Sequence, residues 1–144
     1  MVQGRDGDAD PLTPPARRAV RRVLVVEDSS EDALLLELAF EELAPGVQVC
    51  LAHDGEEALR IVQTRPGPDL VLLDLHLPGR SGLEFLALVR AGVDDETRVV
   101  CWSSRAQPHE VEAARAHGAS YVEKPLGHDD LLALVGEWLG PPHG

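Results

Sequence analysis

From Val23 onward, short runs of aliphatic residues alternate with segments whose apolar positions recur at helical spacing. Val23–Val26 is a continuous apolar run closed by Glu27 and Asp28, the pattern of a central strand buried on both faces. Ser29 or Ser30 can cap the helix that follows, with Leu36, Ala39, Phe40 and Leu43 on one face and Pro45-Gly46 stopping it. Val47, Val49 and Leu51 alternate with Gln48 and Cys50, which predicts a second strand nearer the sheet edge. Asp54 caps the next helix, whose Ala58, Leu59 and Val62 face inward, and a Pro/Gly turn leads to the apolar run Leu70–Leu73, which ends in Asp74. Ser81 and Glu84 form a capping box for a third helix with Phe85, Leu86 and Val89 on one side.

Val99–Trp102 is a fourth strand, followed by Ser103. Pro108 opens an alanine-rich fourth helix with a weak apolar face, which Gly118 ends. Tyr121 and Val122 make a short fifth strand reaching Lys124 and Pro125, and Leu131, Leu134, Val135 and Trp138 stripe a last helix. Strict alternation of this kind implies a parallel sheet built from βαβ units. Residues 1–22 hold Gly, Pro, Asp and Arg with few bulky apolar side chains and are expected to be a disordered tail; residues 23–140 form the domain and residues 141–144 a C-terminal tail.

The chain has 144 residues, enough for one domain with its own core. Its net charge is −12, and the tail is basic, with five Arg against three Asp, so residues 23–144 carry −14. That sign repels a phosphate backbone and argues against a nucleic-acid partner. No signal-type segment or run of membrane-spanning length occurs, so a cytoplasmic protein with no membrane contact is expected. Cys50 and Cys101 sit in apolar runs without CxxC spacing and read as buried free thiols. The six histidines show no metal-ligand spacing, Trp138 reads as core with a dimer contact as the other reading, and Arg17–Arg22 as a solvated stretch.

The informative residues stand where the strands finish: Glu27 and Asp28 after the first, Asp74 after the third, Ser103 after the fourth, Lys124 after the fifth. In an open α/β sheet these ends converge on one crevice. Carboxylates gathered there repel one another unless a cation neutralises them, and hard oxygen ligands suit Mg²⁺. Asp74 could then attack a phosphoryl group, with Lys124, the one lysine among 13 basic residues, supplying positive charge and Ser103 a hydrogen bond.

The segments LVVEDSSEDALLLE, VLLDLHLPGRSGLEFL, VVCWSS and GASYVEKP, in this order and spacing, resemble the receiver domain of two-component response regulators over about residues 23–139. The resemblance implies a flavodoxin-like (CheY-like) doubly wound α/β fold, with a five-stranded parallel sheet in the order 2-1-3-4-5 and five helices. It makes Asp74 the phosphoacceptor, Glu27 and Asp28 the acidic pair for Mg²⁺ beside Asp74, and His76 the donor of a backbone carbonyl to the metal. Ser103 matches the switch hydroxyl, Lys124 the phosphate-pairing lysine and Tyr121 the switch aromatic; the Lys124-Pro125 bond is commonly cis in the family. The partner implied is a sensor histidine kinase, and the opening VVEDSSEDALLLE looks most like stand-alone receivers that serve bacterial and cyanobacterial phytochrome kinases. With no effector domain expected, output falls to contact with another protein or to a homodimer through the fourth helix, fifth strand and fifth helix. Such a domain is not an enzyme in the usual sense, although it takes part in its own phosphotransfer and dephosphorylation.

Two departures stand out: the Gly118–Lys124 segment is one residue shorter than the commonest spacing, and Trp102 before Ser103 is unusual and would restrict the space into which Tyr121 turns. Two other readings are an aspartyl-nucleophile phosphatase and a pseudo-receiver that is never phosphorylated. The first lacks a second acid close after Asp74 and room for a cap; the second is at odds with the intact set Glu27, Asp28, Asp74, Ser103 and Lys124.

Overall fold

The computed structural model describes residues 19–77 and 81–140. β1 (Arg22–Val26), α1 (Ser30–Leu43), β2 (Gln48–Ala52), α2 (Gly55–Val62), β3 (Leu70–Asp74), α3 (Gly82–Gly92), β4 (Arg98–Ser103), α4 (Pro108–Ala116), β5 (Ser120–Glu123) and α5 (His128–Leu139) alternate as expected. The strands pair in parallel in the order β2-β1-β3-β4-β5. From β1 the chain passes to β2 on one side and then crosses to β3 on the other, so the order reverses between Glu27-Asp28 and Asp74.

Alternation along the strands divides the core into two layers. Val23, Val25, Leu70, Leu72, Val100 and Trp102 face α1 and α5, where they meet Leu36, Phe40, Leu131, Val135 and Trp138. Leu24, Val26, Val71, Leu73, Val99 and Cys101 face the other way, against Ala58, Val62, Phe85, Leu86 and Val89. Each such aliphatic or aromatic side chain fully withdrawn from water contributes roughly 1.5–3 kcal/mol, so the sheet that carries the strand ends is held rigidly from both sides. β3 is buried along its whole length, Asp74 included, as its central place in the sheet requires.

Several details differ from the sequence reading. Residues 1–18 and 141–144 of the expected tails lie outside the described residues, and Arg22 belongs to β1: the Arg21 and Arg22 N–H groups both donate to Asp69 Oδ2, at 2.9 and 3.0 Å. Leu43 is exposed, because α1 turns its inward stripe away by its last turn, leaving Leu36, Ala39 and Phe40 inside. Cys50 is exposed on edge strand β2, and only Cys101 is buried. Ser81 Oγ accepts from Leu83 N rather than from Glu84, so the cap of α3 is a shorter loop than a capping box. Trp102 lies on the sheet face opposite Tyr121, edge-on to Trp138 at 6.3 Å between centroids, and therefore does not crowd the tyrosine. Register explains this: Tyr121 pairs with Cys101, and side chains alternate between faces.

Two glycines permit close or unusual backbone. A Cβ on Gly82 would stand 1.9 Å from the Leu75 carbonyl oxygen, so only glycine lets α3 begin this close to the segment after Asp74. Gly118, at φ +72°, reverses the chain after α4 and sets the start of the short β5.

Candidate functional site

The ends of β1, β3, β4 and β5 bring Glu27, Asp28, Asp74, Ser103 and Lys124 to one edge of the sheet. Glu27 extends β1 by one bond, its N–H donating to Ala52 O at 2.9 Å, and Glu27 Oε2 in turn accepts from Ser29 N at 3.1 Å. Ser29 caps α1 by accepting from Asp32 N at 3.2 Å, so the turn after β1 is tied down by its own polar side chains. Asp74 Oδ1 accepts from His76 N at 2.8 Å, which fixes the acid's orientation at the end of β3. Lys124 N donates to Ser103 O at 2.8 Å, joining the end of the last strand to the end of β4.

Lys124 Nζ lies 2.9 Å from Asp32 Oδ2, 3.0 Å from Glu27 Oε1 and 3.2 Å from Asp74 Oδ2. Burial pulls its ammonium toward neutrality, but the close carboxylates of Asp32 and Glu27 and the charge of Asp74 outweigh that and hold it above the ordinary lysine range. Burial, reinforced by Asp74 alongside, pushes the Glu27 carboxyl up to about 7 against the opposing pull of Lys124. The site is thus an acidic pocket in which one shared ammonium offsets only part of the charge of four carboxylates.

Oxygens of Glu27, Asp28 and Asp74 come within 4.8 Å of one another, with Glu27 and Asp74 buried and Asp28 exposed. Glu27 Oε1 is buried and, although Lys124 stands close, no hydrogen bond is aligned on it. A buried, under-coordinated carboxylate oxygen beside two further carboxylates, one of them open to solvent, is a donor set that suits a hard divalent cation such as Mg²⁺.

On the other side of the sheet end, Ser103 Oγ lies 2.7 Å from Tyr121 OH and 2.9 Å from Arg105 O. Tyr121 OH donates to Glu110 Oε1 at 3.0 Å, and Glu110 Oε2 meets His76 Nε2 at 3.1 Å. Burial keeps the Tyr121 phenol above its ordinary range, with the Ser103 hydrogen bond pulling the other way and Glu110 pushing further up. Lys124-Pro125 is not cis; the cis bond among the described residues is Arg65-Pro66. Trans is the lower-energy X-Pro isomer by about 0.5–1 kcal/mol, and with it Lys124 already reaches all three acids.

All seven residues expected at the site therefore sit at it: the acids and Lys124 in one cluster, Ser103 and Tyr121 in a second, and His76 between them. Two more were not anticipated, Asp32 and Glu110. Each lies in the first turn of a helix, where an acid is ordinary because it complements the helix dipole, so neither position stands out in a sequence.

A doubly wound sheet with an acidic pocket and a lysine at its switch point defines the class: an α/β domain built for charge-compensated chemistry at one strand end. Residues 23–136 match the response regulator receiver domain, and the chain belongs to that family. Its members are phosphoacceptor domains of two-component phosphorelays, served by sensor histidine kinases. The chain is 31% identical to sporulation initiation phosphotransferase F of Bacillus subtilis over 119 residues, 82% of this chain and 93% of that protein. Among solved structures it is similar to the Mn²⁺-bound response regulator Rcp1 (TM-score 0.72, 26% identity, 85% of this chain and 97% of that one). It is also similar to the phosphorylated cyanobacterial phytochrome response regulator RcpA (TM-score 0.71, 26% identity, 81% and 89%). The chain spans about half the length of the transcriptional regulators it matches, such as YkoG of Bacillus subtilis at 48%. No helix among the described residues is long and apolar enough to cross a membrane.

Proposed function

We propose that Asp74 is the phosphoacceptor of this receiver, with Glu27, Asp28 and the backbone carbonyl of His76 completing a Mg²⁺ site beside it. The observation that carries this reading is the convergence on Asp74 of a buried, under-coordinated Glu27 oxygen and the Lys124 ammonium. An Asp74 oxygen attacks the phosphorus of a kinase phosphohistidine; the O–P bond forms, the P–N bond breaks, and the imidazole leaves with a proton from solvent. Mg²⁺, when bound, offsets charge on the carboxylates and on the phosphoryl oxygens. Lys124 already touches Asp74 and has only to shift from acid to phosphoryl oxygen, while Ser103 supplies a hydrogen bond once its own partners release it. Water attacking the same phosphorus later returns Asp74 and inorganic phosphate, the domain's own part in dephosphorylation.

A phytochrome kinase as donor is supported by the likeness to phytochrome response regulators. Donor access is supported by exposed Leu35 of α1 and fully exposed Leu126, an apolar rim that lines one pocket with Asp32 and Lys124. Output through a homodimer at α4, β5 and α5 is supported by the position of Tyr121 and Glu110, which tie β5 and α4 of that face to the site. Incubation with a phosphohistidine donor and Mg²⁺ should label the wild type and leave Asp74→Asn unlabelled; equal labelling of both would remove Asp74 from its role.

A further inference from the structure

The hydrogen bonds around Ser103 outnumber the protons available to make them. Ser103 Oγ has contacts to Arg105 O at 2.9 Å and to Tyr121 OH at 2.7 Å, and Tyr121 OH has a further contact to Glu110 Oε1 at 3.0 Å. Two hydroxyls carry two protons, yet three contacts need one each. The Arg105 carbonyl and a Glu110 carboxylate can only accept. If Tyr121 donates to Glu110, its oxygen is left to accept, and the short contact to Ser103 is bonded only when Ser103 donates to it. If Tyr121 donates to Ser103 instead, Glu110 receives nothing from the phenol, and the Ser103 proton turns to the Arg105 carbonyl.

A charge-assisted bond is the stronger choice, roughly twice a neutral one, so the Tyr121 proton belongs to Glu110. The position of Glu110 favours this further. Its side chain is only 12% exposed and its other oxygen is held by His76 Nε2 at 3.1 Å, so the carboxylate cannot swing out to water without giving up both contacts. Burial and the charge of Glu110 keep the phenol protonated, so the donor persists. Ser103 is itself fully buried, so its proton goes either to the phenol or to the Arg105 carbonyl, and the phenol is the nearer acceptor, 2.7 Å against 2.9 Å.

We infer that Glu110 is a positioning residue that sets the direction of the Ser103–Tyr121 hydrogen bond, holding the Ser103 proton on the phenol until a phosphoryl oxygen competes for it. The inference rests on Asp74 being the phosphoacceptor. Glu110 touches neither Asp74 nor Lys124; it acts through the phenol. In this arrangement phosphorylation must redirect one proton, and the competitor that resists it is a carboxylate on α4, the helix with least burial of its own.

Beryllofluoride with Mg²⁺ is the probe, since it occupies the place of the phosphoryl group on an aspartate, and its apparent affinity is read by isothermal titration. Glu110→Ala should tighten binding about five- to tenfold, the scale of one redirected hydrogen bond. Glu110→Gln, which keeps an uncharged acceptor in place, should fall between Glu110→Ala and the wild type and also serves if the alanine variant folds poorly. Removing the exposed Glu112 of the same helix changes net charge equally and should leave affinity as it was, which separates this effect from general attraction of an anion. In a Tyr121→Phe background the Glu110→Ala gain should vanish, because no phenol remains to pass the effect on. An unchanged or weakened affinity in Glu110→Ala, or the same gain with and without the phenol, overturns the inference while leaving the phosphoacceptor reading intact. Failure of the wild type to bind the probe at all overturns both.

Discussion

The ammonium of Lys124 is shared by three carboxylates, and among the described residues no other cation is paired with them. Removing one member of such a buried set leaves uncompensated charge, which costs about 3–5 kcal/mol. Lys124→Ala should therefore lose roughly that much stability in EDTA and recover most of it with millimolar Mg²⁺, as urea unfolding with and without the ion would show. Glu27 gives the complementary test. Its carboxyl is raised from 4.5 to about 7 in the fold, so between those values the folded protein holds a proton the unfolded chain has released. Stability linked to that proton is complete below about pH 4.5 and is lost as pH rises through about 7. Without metal, the urea midpoint should fall across this window in the wild type, and Glu27→Gln, which cannot titrate, should flatten that fall.

At the scale of elements, α3 and α4 are held very differently. α3 buries Gly82, Phe85, Leu86 and Val89 and begins against the Leu75 backbone, whereas α4 buries only Ala114. Hydrogen exchange should be markedly faster along α4 than along α3, and beryllofluoride should slow α4 selectively; equal protection of both helices would argue against α4 as the element that responds. Gly82→Ala should cost about 1–3 kcal/mol or more, measured by thermal unfolding, because the new methyl meets backbone that cannot turn aside. The weak face of α4 was legible from its alanines, as were the strand ends, because a central strand is uniformly apolar until it reaches the crevice. Asp32 and Glu110 were not, since first-turn acids are expected on dipole grounds and pattern does not say which of them turns toward a neighbour. Leu43 departs from the expected stripe for a related reason: helical spacing fixes a stripe, but the neighbouring layer decides how far along it burial extends.

Across the whole molecule, the two core layers meet the site on different terms. The layer under α2, α3 and α4 receives Tyr121, while the layer under α1 and α5 contains Trp102, whose ring lies 5.1 Å from Lys124 Nζ. Adjacency to Ser103 in the sequence suggests Trp102 as an obstacle to Tyr121, but the pairing of Cys101 with Tyr121 places the two on opposite faces. The correct placement makes it a reporter. An ammonium over an indole face is held by the ring quadrupole, and a phosphoryl group on Asp74 draws that ammonium away. The chain has two tryptophans, Trp102 and Trp138, packed edge to face, so Trp138→Phe isolates the first. In that variant, beryllofluoride with Mg²⁺ should change the emission of Trp102, and Lys124→Ala should abolish the change while Ser103→Ala keeps it. An emission unchanged by the probe, or a change that survives loss of Lys124, would mean that the α1–α5 side of the sheet does not sense the site through this lysine, leaving the Tyr121 side to carry the response alone.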